Sequence, residues 1–258
     1  MTDQPIKFFS HPGHCQDEWV INDVFPGKRG GWFIDSGAGP DGIFNSNTYA
    51  LESQLGWTGL LVEPHPDRHP EVVKNRSAII EKACLTDEPG EVTFTLNPDE
   101  PGTSGILDEM SEPNRVAAGF DSKQMPSVTI PGIPLWELLR RHHAPKVIEY
   151  LSLDIEGAEW LALKDFPFDE YRILSMTIER GGRDYARLAR KLRKEGYRLA
   201  RVRGPDDFLY HESLDYRPAL GEHVRARIIS GWHTLYFMEP FLTLRRVARF
   251  VRSKLRGH

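Results

Sequence analysis

Cysteine is nearly missing from this chain: Cys15 and Cys84 are the only two, far apart and in no C-x-x-C pattern. That scarcity argues against a disulfide framework and against a structural zinc site, and it suggests a reduced, cytoplasmic setting. Long apolar runs are lacking as well. With no stretch of about 18 apolar residues, no membrane-spanning helix is expected. The opening residues, MTDQPIKFFSHPGHCQDEW, show no charged-then-apolar signal pattern. There is no internal repeat and no low-complexity block. Nor does charge of one sign dominate: 33 Lys and Arg stand against 37 Asp and Glu, a net of −4 over 258 residues. A nucleic-acid-binding role for the whole molecule is therefore disfavoured.

Short apolar runs alternating with helical patterns make up most of the chain. GGWFID (30–35), WTGLLVEP (57–64), SAIIEKACL (77–85), GEVTFTL (90–96), VIEYLSLD (147–154) and YRILSMTIE (171–179) read as strands. YRLARVRG, DFLYHE and IISGWHTLYFME (228–239) read the same way. Helices are expected over 46–56, 67–76, 134–143, 157–166 and 183–197. Ser46 should cap the first of these, Gly56 should stop it, and Pro134 suits the first helical position of the third. Residues 97–127 are rich in Pro, Gly, Ser and Asp, with one weak helical patch near 106–118. They read as a long loop or lid. Strands separated by helices of this length indicate βαβ units, an α/β fold and a mostly parallel, doubly wound sheet.

Such a sheet binds its ligand beyond the carboxyl ends of its strands. The residues placed there are Asp35 to Gly42, Glu63, Ala83 and Cys84, Asp154 to Glu156, and Glu179. The run GAGPDG puts Gly37, Gly39 and Gly42 in a G-x-G-x-x-G pattern, where glycine permits positive φ and close approach of a ligand. No Lys-Ser/Thr follows Gly42, so a P-loop is disfavoured. Asp35 ends the strand directly before the glycines. A carboxylate among the turn's N–H groups repels a pyrophosphate and suits an ammonium or sulfonium group. Asp154, Glu156 and Glu63 extend this acidic rim. Glu63 lies where an acid accepts hydrogen bonds from ribose hydroxyls, and Pro64 fixes the turn behind it.

The run GGWFIDSGAG, then SNTYALESQLGWTGLLVEPHP, then LSLDIEGAEW resembles the FkbM-type family of S-adenosylmethionine-dependent methyltransferases, over about residues 14–200. CQDEWVINDVF (15–25) is similar to that family's N-terminal segment. The resemblance implies a seven-stranded Rossmann-like methyltransferase sheet with helices on both faces, in a single domain over 1–240. It implies S-adenosylmethionine as cofactor. Asp35, Gly37, Ala38 and Gly39 would lie along the methionine part, with Asn47 and Thr48 reaching it from the first helix. Glu63 and Pro64 would hold the ribose, Ala83 or Cys84 would lie by the adenine, and Asp154 would lie near the transferred methyl.

A hydroxyl acceptor on a sugar, glycolipid or secondary metabolite needs a base, for which Asp154, Glu156 and Glu179 are the candidates. The same three acids could ligate Mg²⁺, a reading not favoured by the pattern alone. Two other readings stay open: a nicotinamide-dependent oxidoreductase on a similar fold, and a methyltransferase-like binding protein without catalysis. The last 18 residues carry six Lys/Arg and no acid, which leaves −10 of the total −4 on the rest. Leu244, Val247, Ala248, Val251 and Leu255 share one side of a helical wheel. A basic amphipathic helix over 241–258 is expected, suited to a partner subunit, an acidic partner or an anionic membrane surface.

Overall fold

The structure, a computed structural model, describes residues 5–120 and 125–218. The expected strand 228–239 and the expected basic helix 241–258 lie outside the described residues.

The chain enters through α1 (Gln16–Trp19), which continues as a π-helical turn over Val20–Val24. Then follow β1 (Trp32–Ser36), α2 (Tyr49–Leu55), β2 (Thr58–Val62), α3 (His69–Asn75) and β3 (Ile79–Glu81). After β4 (Cys84–Thr86) and β5 (Gly90–Thr95) come α4 (Glu112–Ala117), β6 (Ser127–Pro134) and α5 (Leu135–Arg141). The last part holds β7 (Val147–Leu153), α6 (Glu159–Leu163), β8 (Arg172–Glu179), α7 (Tyr185–Lys194), β9 (Tyr197–Arg203) and β10 (Asp206–His211).

Seven strands form one sheet in the order β3-β2-β1-β7-β8-β10-β9. Five of them run parallel, and β10 is antiparallel to both of its neighbours. Alternate side chains on each strand serve opposite faces. On one face Ile34, Leu60, Val62, Leu151 and Leu153 pack with Leu138 and Leu139 of α5, Leu163 of α6 and Leu188 and Leu192 of α7. On the other, Phe33, Leu61 and Tyr150 pack with Trp19 of α1, Leu51 and Leu55 of α2 and Val72 of α3. Each fully buried Leu or Ile in these layers contributes about 1.5–3 kcal/mol. The α/β class and the mostly parallel seven-stranded sheet with helices on both faces are as expected. Among the described residues no helix is long and apolar enough to cross a membrane.

The structure departs from the sequence reading in four places. The single strand expected over 77–85 is broken at Lys82–Ala83 into β3 and β4, which belong to different sheets. Residues 84–86 turn away to pair in parallel with β6, which also pairs antiparallel with β5 to give a separate sheet, β4-β6-β5. No strand was expected at 127–134, because Pro131 and Pro134 lack the N–H that a central strand uses. Pro134 ends β6 and occupies the N-cap of α5, one step before the expected first helical position. The cap residue of α2 is Thr48, although Ser46 Oγ still accepts the Thr48 and Tyr49 amides at 3.4 and 3.1 Å. Gly56 stops α2 with φ 68, a left-handed conformation that glycine adopts without a Cβ clash.

Candidate active site

The site begins where β1 ends. Gly37 has φ 96, and a Cβ there would stand 2.1 Å from the Asp154 carbonyl oxygen. Its N–H donates to Val62 O at 3.3 Å, and the Asp154 N–H donates to Ser36 O at 3.0 Å. The turn is thus clamped between the ends of β2 and β7, and only a residue without a side chain fits. Asp35, one residue before the strand's end, is fully buried. Its Oδ2 accepts from Thr48 Oγ1 at 2.5 Å, while Oδ1 has no hydrogen-bond partner among the described residues. Burial pushes its carboxyl up to about 6 against the opposing pull of Arg76.

Arg76 ties this turn to the start of α2. Its side chain is fully buried, with Nε 2.7 Å from Glu52 Oε2. Nη2 donates to Thr48 Oγ1 at 2.8 Å, and Nη1 donates to Gly42 O at 3.0 Å and Ser46 Oγ at 3.2 Å. One guanidinium therefore holds both the end of the glycine loop and the Thr48 hydroxyl that meets Asp35.

A cleft of about 540 Å³, open to solvent, lies at the carboxyl ends of β1, β2 and β7. Gly37, Glu63, Pro64, Ala83, Cys84, Asp154 and Glu156 all line it. Glu63 is buried, and Oε1 accepts the His65 amide at 2.9 Å. Burial pushes this carboxylate up to about 7, against the pull of the His65 amide. Burial first, then the Glu63 charge, drives the Cys84 thiol to about 12, so it is unreactive. The far wall comes from the 97–127 segment: a 3₁₀ turn at Pro101–Thr103 followed by Ser104, Gly105 and Ile106. Within that segment the helical patch is confined to α4, capped by Ser111 Oγ accepting the Asn114 amide at 3.4 Å.

The remaining expected cofactor residues sit behind the lining. Ala38 is fully buried under Glu63. Gly39, with φ 79, would bring a Cβ within 2.8 Å of Phe44 O. Asn47 Nδ2 donates to Ser152 Oγ on β7 at 2.9 Å, and Thr48 bonds Asp35.

The three expected acids do converge: one carboxylate oxygen from each of Asp154, Glu156 and Glu179 lies within 4.8 Å of the other two. Glu156 holds φ 56, a conformation that costs a residue with a Cβ about 1 kcal/mol or more. Gly157 follows at φ 111, pressed against Glu109 and Met110. Glu159 braces this bend from within, since its Oε1 accepts the amides of Ile155 at 3.2 Å and Gly157 at 3.1 Å.

Loss of water raises all four carboxyls. Glu156 rises to about 8, helped by Asp154 and Glu159, and Glu159 to about 7. Asp154 is raised by burial and hydrogen-bonds to Glu179, whose carboxyl stands well above the ordinary range through burial and the charges of Asp154 and Glu156. Like charges this close do not all ionise, so the group holds protons at neutral pH. Three oxygens at this spacing could begin a Mg²⁺ shell, but carboxyls that share a proton need no ion to coexist.

Arg68 and Phe94 line the cleft without having been expected there, and the strand-end loop residue His65 joins them; the wall from Pro101 to Ile106 falls within the 97–127 segment expected as a loop or lid. Arg68 lies five positions beyond Glu63, on the turn into α3, where a strand-end reading stops looking. The wall belongs to a segment without periodicity, so only its unusual length marked it.

Seven strands with β10 reversed, helices on both faces and a cleft at the parallel strands' carboxyl ends define the Rossmann-like methyltransferase class. The chain belongs to the methyltransferase FkbM domain family, whose model matches residues 35–199, well over half of its length. No curated protein and no solved structure matches it.

Proposed function

We propose that the chain moves a methyl group from S-adenosylmethionine to a hydroxyl of a sugar, glycolipid or secondary metabolite. The observation that carries this reading is the pairing of two buried acids at adjacent strand ends, Asp35 with an unpartnered oxygen and Glu63 facing the cleft. The residues fit that cofactor. Asp35 Oδ1 is an acceptor waiting for a donor such as an ammonium, and Gly37 carries the chain past it with no side chain in a turn clamped against the Asp154 backbone. Glu63 accepts from ribose hydroxyls, and Ala83 and Cys84 flank the adenine. When bound, the cofactor supplies a methyl on a positive sulfur.

The chain's own work is positioning and proton handling. Holding acceptor and methyl aligned removes several kcal/mol of barrier. Within the group of Asp154, Glu156 and Glu179, whose members do not all ionise together, an ionised carboxylate takes the hydroxyl proton, and burial raises its affinity for that proton. Pyrophosphate is poorly served by so acidic a rim, which disfavours the nicotinamide reading. Titration calorimetry tests this: S-adenosylhomocysteine binds saturably and NAD does not. Binding of NAD with no binding of S-adenosylhomocysteine overturns the proposal. The non-catalytic reading predicts cofactor binding with no methyl loss in any acceptor screen. The basic segment 241–258 adds a peripheral contact with anionic lipid or an acidic partner, and flotation with phosphatidylglycerol vesicles against phosphatidylcholine vesicles tests it.

A further inference from the structure

Among the described residues lining the cleft, Arg68 is the only Lys or Arg. Its backbone is fixed at the turn into α3: its N–H donates to His65 O at 3.2 Å and its carbonyl accepts from Val72 N–H at 3.0 Å. Its side chain has no such anchor. Nε is buried without a hydrogen-bond partner, and among the described residues no carboxylate lies within 4.0 Å of the guanidinium. Nη2 reaches the opposite wall, where a Cβ on Gly102 would be 3.5 Å away. The charge of Arg68 acts on Glu63, Asp154 and Glu156 from a distance. A guanidinium half-buried with an orphaned donor is costly unless an oxyanion completes it, and its planar fork matches a carboxylate or phosphate.

The cofactor has one carboxylate, on the carbon that bears its ammonium. The ammonium's seat at Asp35 lies among other charges, chiefly Arg76, Asp154 and Glu52. Arg68 instead stands across the cleft, between the Glu63 wall and the 101–106 wall.

We propose that Arg68 recognises an oxyanion, carboxylate or phosphate, carried by the methyl acceptor. The inference rests on the methyltransferase reading and names a chemical class for its acceptor. It also explains how an acidic rim tolerates an acidic substrate: the anion meets a guanidinium that faces those acids across the cleft.

The test uses the full chain saturated with S-adenosylhomocysteine and labelled with ¹⁵N at arginine side chains. Acetate and inorganic phosphate are the probes, and acetamide is the uncharged control. Either anion should shift the Arg68 Nε–H signal saturably, and acetamide should not. Preference for phosphate or for acetate identifies which oxyanion the acceptor carries. Arg68→Gln should weaken anion binding at least about tenfold while leaving S-adenosylhomocysteine binding unchanged. Arg68→Lys should retain part of it. If neither anion shifts Arg68 although S-adenosylhomocysteine binds, the inference falls and the methyltransferase reading stands. If Arg68→Gln weakens S-adenosylhomocysteine but not 5′-methylthioadenosine, which lacks the amino acid, Arg68 serves the cofactor's carboxylate and the inference is overturned. Failure of S-adenosylhomocysteine to bind the wild-type chain removes the parent reading instead.

Discussion

Glu63 and Gly37 are the two residues whose replacement separates chemistry from architecture. The Glu63 carboxylate accepts the His65 amide and faces the cleft. Glu63→Gln keeps the shape but weakens the acceptor, and S-adenosylhomocysteine affinity should fall about tenfold to a hundredfold with little change in thermal unfolding. Gly37→Ala does the opposite. Its Cβ would collide with the Asp154 carbonyl at 2.1 Å, and φ 96 is strained for alanine, so the strands must part. Unfolding in urea should show a loss of about 3 kcal/mol or more, beyond a simple overpacking cost. An unchanged midpoint would contradict that clamp.

At the scale of elements, the start of α2 and the glycine loop behave as one unit because Arg76 joins them. Its partners are Glu52, Thr48, Ser46 and Gly42, and the faces of Phe33 and Tyr49 lie 5.7 and 5.6 Å from its guanidinium carbon. Arg76→Ala strands the Glu52 carboxylate, which is buried beside it, and should cost about 3–5 kcal/mol in a denaturant titration. Arg76→Lys keeps the charge but cannot span all four partners, so it should recover only part of that loss.

The elements also show why some of the molecule was legible. β1, β2, β7 and β8 announce themselves through short, mostly apolar runs, because strands buried on both faces need apolar residues on both. Each then carries an acid at or beside its carboxyl end, which made Asp35, Glu63, Asp154 and Glu179 readable. The second sheet was not. Apolar residues on both sides of Glu81 and Lys82 in 77–85 read as one run and hide the turn at Lys82–Ala83, and β6 carries prolines that argue against a strand. Arg68 was illegible for a different reason: it is placed by a turn, whose geometry leaves no periodic trace, and the same lack of periodicity hid which residues of the expected 97–127 lid form the wall.

Across the whole molecule, acids held protonated by burial link stability to pH. Asp35 stands at about 6, Glu63, Glu159 and Asp206 at about 7, and Glu156 at about 8, all above their ordinary values. The folded chain thus keeps protons that the unfolded chain gives up near pH 4. The resulting stability is complete below those ordinary values and is lost as pH rises through 6 to 8. The melting temperature of the ligand-free protein should fall by about 5 °C or more between pH 5.5 and 8.5, as read by calorimetry. S-adenosylhomocysteine should reduce that fall, since its ammonium favours the ionised form of Asp35. A melting temperature that climbs over the same interval would show these groups ionised in the folded state.

The central position of β1 also governs the order in which the molecule is built on the ribosome. Phe33 pairs with Gly59 on one side and with Tyr150 on the other. The first pairing is available early, whereas the second waits until the 91 residues that follow Gly59, ending at Tyr150, have been synthesised. Throughout that interval the β1 edge, with Phe33 and Ile34 on its two faces, is unpaired and open to association with other nascent chains. The small β4-β6-β5 sheet is completed inside the same interval, by residue 134. A chain released before Leu153 should therefore carry a finished small sheet beside an open large one, and should aggregate, whereas one extended through β7 gains the strand that closes that edge.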